Sequence, residues 1–408
     1  MYNCIDDGTI CSIDSTKEGG DILYVIGLVG PFGSGCSYVA KKIVENHDYE
    51  YLSLSDILRE EYKRRYPKKR KIDRKSLQDF GDEIRKTQGA DYLAQEVCKK
   101  VNQDTTKNYV VDSIRNPEEI NCFRHLFAGF FLFGVFAEPD LRWERVKKIY
   151  NDDRRAFDED DNRDSNGGVN YGQRVTDSFR MADIILLNNE NIAVGNKNEK
   201  LFLAKLKQKI DLIEENEAFA PTYVETNMAI AYATSMRSSC LKRKVGAVIV
   251  DMAGDVFSSG YNEVPAANDT CKSEYGMCYR DKLKKDFRDN LTTVIKKEKE
   301  REDSYTLFKK NFKILDYCRA LHAEENAILN VARVGASSAL PTSTLFTTTY
   351  PCNLCANKIA QVGIKHIVYF EPYPMAEAKK ILEDKGVKQE PFEGVTYNGY
   401  FRLMEVLF

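Results

Sequence analysis

Histidine is scarce in this chain of 408 residues: His47, His125, His322 and His366 are the whole supply, beside a single tryptophan. A histidine standing near cysteines is therefore informative. Long hydrophobic runs are missing as well, and no uninterrupted apolar stretch approaches the roughly 18 residues a membrane span needs, which argues against a spanning protein. The opening "MYNCIDDGTICSID" lacks the basic patch and apolar core of an export signal, so the cytoplasm is the expected compartment. Charge of one sign is lacking too. A formal net charge of −2 gives no general attraction to nucleic acid, leaving only local basic segments such as "YKRRYPKKRKIDRK" at 62–75. Such a run is expected to be solvated, with phosphates of RNA or of a nucleotide as the alternative partner.

Cysteine, by contrast, is plentiful at 11 residues. In a long chain with no export signal, clustered cysteines point to metal binding or catalysis rather than disulfides. The length suggests two domains, and a boundary near Pro221 divides the chain into 1–220 and 221–408.

The first half alternates apolar runs with amphipathic stretches. "ILYVIGLVG" (22–30), "NYVVDSI" (108–114), "FFLFGVFA" (130–137) and "ADIILLNN" (182–189) are expected to be buried parallel strands, with helices such as "SYVAKKIVENH" between them. Residues 151–172 are too polar for a core and are expected to form a loop or mobile lid; 190–200 is a further loop, and 201–217 a closing helix. The second half reads as a helix, a hairpin around "MAGD", a long charged insertion, and then helix, strand, helix, strand. This order predicts a three-layer α/β/α domain on a mixed sheet. The insertion, 280–303, mixes both signs at helical spacing and is expected to be a solvated helix.

Two segments carry the chemistry of the second half: His322-Ala323-Glu324, and Pro351 to Cys355 in "PCNLC". One imidazole and two thiolates are three ligands for Zn²⁺, and the absent fourth leaves a position open, as a catalytic zinc requires. Cys352 and Cys355 stand one turn apart at an expected helix start, which favours thiolate. Glu324 is placed to accept a proton from water rather than to bind metal. The alternative is a closed zinc knuckle, which would want a fourth protein ligand and has no use for the glutamate. H-x-E…P-C-x-x-C is the signature of the zinc nucleobase deaminases.

Over nearly all of 226–375 the chain resembles the deoxycytidylate deaminase family, through "RSSCLKRKVGAVIV", "GYNEVP", "HAEENAIL", "PCNLCANKI" and "GIKHIVYFEPY". The resemblance implies that Asn262 contacts the nucleotide, that Arg333 lies near its phosphate or sugar, and that Tyr373 stacks near the pyrimidine. Glu263 departs from the glycine usual after the Asn of "GYN", which bears on fine substrate choice. Some members carry a second, structural zinc; Cys240, Cys271, Cys278 and Cys318 could close such a site, or be ordinary buried thiols.

"GPFGSGCS", Gly30 to Ser37, keeps the outline of a phosphate-binding P-loop with Cys36 where the lysine belongs. Gly30, Gly33, Gly35 and Ser37 preserve the cradle and the hydroxyl that would hold Mg²⁺. A thiol with an ordinary pKa near 8.5 offers no comparable positive charge, so nucleotide binding can survive where phosphoryl transfer fails. Asp112 stands at a strand end where it could hold a Mg²⁺-linked water, and Arg115 could face phosphates. With "YLSLSDILREE", "DLRWERVKK" and "ADIILLNNEN", the half resembles deoxynucleoside monophosphate kinases and dephospho-coenzyme A kinases. The pairing of the two halves resembles the bacterial antiphage cytidine deaminases. It implies a Zn²⁺ enzyme that deaminates dCMP or dCTP and depletes the precursor pool, acting as a homo-oligomer under nucleotide or RNA control. Two alternatives are a deaminase of single-stranded nucleic acid and a nucleotide-binding regulator with a structural zinc domain.

Overall fold

The computed structural model describes residues 22–68, 73–165, 172–190, 196–214, 220–265, 270–311, 317–371 and 376–407. The chain divides into two units, Met1–Pro221 with Glu393–Phe408, and Thr222–Phe392.

In the first unit the apolar runs become β1 (Val25–Val29), β3 (Asn108–Asp112), β4 (Phe130–Phe136) and β5 (Ile184–Leu187), preceded at the edge by β2 (Tyr49–Ser53). All pair in parallel, in the order β5-β4-β1-β3-β2. β1, β3 and β4 are buried along their whole length, the mark of strands covered on both faces by helices. β2 is missed by the sequence reading because its middle residues, Glu50 and Tyr51, are exposed and break the apolar run. The helices are α1 (Cys36–Asn46), α2 (Leu54–Arg65), α3 (Arg74–Gln88), α4 (Tyr92–Val101), α5 (Pro117–Leu126), α6 (Pro139–Val146), α7 (Arg154–Ser165), α8 (Val175–Arg180) and α9 (Lys197–Glu214).

α7 corrects the expectation of a loop or lid over 151–172, since 154–165 is helical. Hydropathy hides it because charge pairing anchors the helix: the buried Arg142 bonds Asp161 at 2.6 and 2.9 Å, while Phe157 is buried against the rings of Trp143 and Tyr150.

The second unit opens with α10 (Tyr223–Ser235), started by a capping box in which Thr222 and Glu225 bond each other's backbone N–H. Then follow the hairpin β6 (Gly246–Val250) and β7 (Val256–Tyr261), the helices α11 (Cys271–Tyr275), α12 (Tyr279–Val294), α13 (Glu298–Asn311) and α14 (Ala323–Arg333), then β8 (Thr344–Thr349), α15 (Asn353–Gln361), β9 (His366–Glu371), α16 (Ala376–Asp384) and β10 (Lys388–Pro391). The sheet runs β10-β9-β8-β6-β7, with β10, β9 and β8 parallel and β8, β6 and β7 antiparallel.

Two glycines set its layers. A Cβ on Gly246 would meet the carbonyl of Ala231 in α10 at 1.9 Å, and one on Gly260 would meet that of Ala323 in α14 at 2.3 Å. Gly260 pairs with Ala247, the neighbour of Gly246, so the two helices lie on opposite faces of the sheet. This is the three-layer arrangement expected from the sequence. The charged insertion forms two helices, with Phe287 of α12 stacked on Phe308 of α13 and Arg288 paired to Glu302.

The last residues return to the first unit. β11 (Gly394–Val395) pairs antiparallel with β5, and α17 (Tyr397–Leu407) follows. By sequence alone, 393–408 falls in the second domain, 221–408. In the structure Val395 and Leu403 are buried in the first unit's core, and the Thr396 N–H donates to the Asp183 carbonyl at 2.8 Å. A contact made across some 200 residues leaves no local pattern in the sequence. Among the described residues, no helix is long and apolar enough to cross a membrane.

Candidate metal centre and phosphate cavity

His322 and Cys352 are the N-cap residues of α14 and α15, both in extended backbone that turns their side chains out of the helix start. An antiparallel bridge between Glu263 and Leu321 fixes the chain immediately before His322. His322 Nδ1 lies 3.3 Å from Cys352 Sγ and 3.4 Å from Cys355 Sγ, and the three donor atoms all fall within 4.8 Å of one another. Among the described residues they are the only such group of three or more His, Cys, Asp or Glu side chains. A borderline nitrogen and two sulfurs converging at helix N-termini fit a zinc ion, and three donors leave a coordination position open.

Glu324 is buried, its Oε2 3.6 Å from Cys355 Sγ, and burial pushes its carboxyl up from the ordinary carboxylate range. Cys352 moves the other way, down to about 4, because Cys355 and His322 hydrogen-bond its sulfur. A cavity of about 410 Å³ opens onto this cluster, lined by His322, Glu324 and Cys352 together with Lys242, Arg243 and Arg280. Arg243 pairs with Glu371 at 2.8 Å and Lys242 with Asp281, whereas the Arg280 Nε is buried with no hydrogen-bond partner among the described residues. None of these three cations stands out in the sequence. Lys242 and Arg243 lie inside a quoted motif, and Arg280 opens the insertion read as solvated.

Asn262 lines the same cavity, with both amide atoms engaged by the neighbouring loop: Nδ2 donates to the Arg243 carbonyl at 2.9 Å and Oδ1 accepts from the Val245 N–H at 2.7 Å. The departure at Glu263 has a structural use, since its carboxylate accepts from the Ser239 N–H and hydroxyl at 2.8 and 2.7 Å. Arg333 is not brought to the site. It is exposed at the last position of the helix that His322 caps, about 15 Å along the axis at 1.5 Å per residue. Tyr373 lies outside the described residues. Of the four cysteines raised as a second metal site or as ordinary thiols, Cys240, Cys278 and Cys318 line the cavity and Cys271 opens α11, and no three of their sulfurs lie within 4.8 Å of one another.

In the first unit Gly30, Gly33 and Gly35 lie in the turn between β1 and α1, and Cys36 and Ser37 begin α1. Gly35 has φ +101°, and a Cβ there would meet Asn188 Nδ2 at 2.3 Å, so only glycine fits. Ser37 donates to Asp112 at 2.6 Å. Cys36 stands at the first helical position, and burial, with Asp112 nearby, pushes its thiol up to about 12, so it is neutral. A cavity of about 470 Å³ lies over the loop, and the positive groups on its wall are Arg59, Arg74, Arg115 and Arg145. Arg74, from the basic run read as solvated, is therefore part of this wall; 69–72 of that run lie outside the described residues.

Residues 222–371 match the family model described as the cytidine and deoxycytidylate deaminase zinc-binding region, and residues 29–164 match an AAA domain. A deoxycytidylate deaminase of Schizosaccharomyces pombe is 27% identical over 368 residues, covering 89% of this chain and 95% of that one. A deoxycytidylate deaminase of Enterobacteria phage T2 is 36% identical over 157 residues, covering 36% of this chain and 79% of the phage protein. The first half alone is similar to a UPF0200 protein of Methanothermobacter thermautotrophicus, 26% identical over 191 residues, covering 46% of this chain and 93% of that protein.

Proposed function

We propose that this chain, which belongs to the deoxycytidylate deaminase family, hydrolyses the exocyclic amine of a free deoxycytidine nucleotide, giving a deoxyuridine nucleotide and ammonia. The observation that carries the reading is the joining of two chemistries in one cavity: the His322, Cys352, Cys355 cluster with the buried Glu324, and the cations Lys242, Arg243 and Arg280.

His322, Cys352 and Cys355 would hold Zn²⁺, whose Lewis acidity makes water a nucleophile near neutral pH. The carboxylate of Glu324 takes the proton from the attacking water and returns it to the departing amine. At C4 a C–O bond forms and the C–N bond breaks, with one water consumed and one ammonia released. The raised carboxyl of Glu324 suits both directions of that transfer. The three cations face the charge that separates a nucleotide from a nucleoside, and Asn262 holds the loop carrying Arg243 in place. Both dCMP and dCTP belong to the proposal.

The P-loop unit is proposed to bind a nucleotide as a regulatory site without efficient phosphoryl transfer, because the neutral Cys36 replaces the lysine. Mg²⁺ near Ser37 and Asp112 is part of that reading. So are assembly into a homo-oligomer and a role in antiphage depletion of precursors, which rests on the pairing of the two units. The test is ammonia release by zinc-loaded protein and its Glu324→Gln variant on dCMP, dCTP, CMP, CTP and a cytosine-containing single strand. Turnover of free deoxynucleotides that falls about 100- to 10,000-fold in the variant supports the proposal. Turnover only on the strand overturns it.

A further inference from the structure

The arginines on the wall of the P-loop cavity are not all free to meet a ligand. Arg74 and Arg115 reach one oxygen of Asp164 in α7: Nη2 of Arg74 lies 2.5 Å and Nη1 of Arg115 lies 3.2 Å from Oδ2. The other oxygen, Oδ1, accepts from Gln78 Nε2 at 2.7 Å. Asp164 itself is only 1% exposed. Two guanidinium donors on one anionic oxygen, with a neutral donor on its neighbour, are the partners a phosphate oxygen would take in the same place.

Both arginines are held in position. The Arg74 guanidinium lies 3.7 Å from the centre of the Phe32 ring, in the P-loop itself. The Arg115 N–H donates to Glu119 at 2.8 Å, and Glu119 is fixed by a buried pair with Arg85 at 2.9 Å. Asp160 also approaches Arg74, at 3.3 Å, so α7 brings two carboxylates to one guanidinium of the cavity wall.

We infer that the Asp164 carboxylate occupies a phosphate subsite formed by Arg74 and Arg115, and that a nucleotide binds the P-loop unit by displacing it. The inference rests on the reading that this unit binds nucleotide phosphate. Asp164 then lowers the apparent affinity, since only molecules in which it has left the arginines accept the ligand. Contact between α7 and the arginines is thereby coupled to occupancy of the loop.

The test is calorimetric titration of the full chain with ATP and with dCTP, each with and without Mg²⁺. Asp164→Asn removes the charge but keeps an oxygen that can accept from Gln78; it should bind about tenfold more tightly than the parent. Arg115→Gln should bind about tenfold more weakly, and reports on the subsite even if the aspartate variant fails to fold. Circular dichroism checks the fold of each. Binding by the parent that neither substitution changes overturns the subsite and leaves the nucleotide reading standing. No binding by the parent or by either folded variant overturns both.

Discussion

Replacing Arg280 by alanine should raise KM for dCMP while leaving deoxycytidine, which has no phosphate, unchanged. Of the three cations in the deaminase cavity, Lys242 and Arg243 already have carboxylate partners, Asp281 and Glu371. Arg280 has a buried Nε without a hydrogen-bond partner among the described residues, so truncation there breaks no internal bond at that atom. A hydrogen bond to a charged group contributes about 1.5–3 kcal/mol, and the lower end suits a cavity open to solvent. That is roughly 10- to 30-fold in kcat/KM at 1.4 kcal/mol per decade. A phosphate gripped equally before and during the reaction puts the loss in KM, with kcat near the parent value. Steady-state ammonia release on dCMP and on deoxycytidine reads both constants. An equal loss on the two substrates, or none on either, refutes the assignment of Arg280 to the phosphate.

Three other outcomes are expected. Cys352→Ser should drop bound zinc well below one ion per chain by atomic absorption and abolish deamination, whereas Glu324→Gln should keep its zinc. Deleting 393–408 strips Val395 and Leu403 from the first unit's core; at about 1.5–3 kcal/mol per buried side chain, that unit should lose about 3–6 kcal/mol in denaturant unfolding while zinc content stays unchanged. Cys36, with its thiol pushed up to about 12, should resist iodoacetamide at pH 8 and react only as the pH approaches that value, because the thiolate is the nucleophile; peptide mass mapping after timed alkylation checks it.

The strands β1, β3, β4 and β5 were legible because a strand buried on both faces is an unbroken apolar run. The ligand set was legible because its members sit in two short motifs, each at a helix start. β2 and α7 were not, since an exposed edge strand and a helix anchored by ion pairs lack that pattern. The place of Arg333 at the far end of α14 is not legible for a related reason: nearness in sequence to a motif says nothing of distance along a helix.

By itself, then, the sequence determined the two kinds of sheet, the P-loop turn without its lysine, and the trio His322, Cys352, Cys355 with Glu324 beside it, all written in neighbouring residues. Only the tertiary structure decided that Lys242, Arg243 and Arg280 share a cavity with that trio, that Asp164 stands between Arg74 and Arg115, and that the C-terminal helix completes the first unit. These are meetings of residues far apart in the chain. Charged side chains carry no periodic signal of their partners, which are fixed only once the packed core has set where each backbone runs.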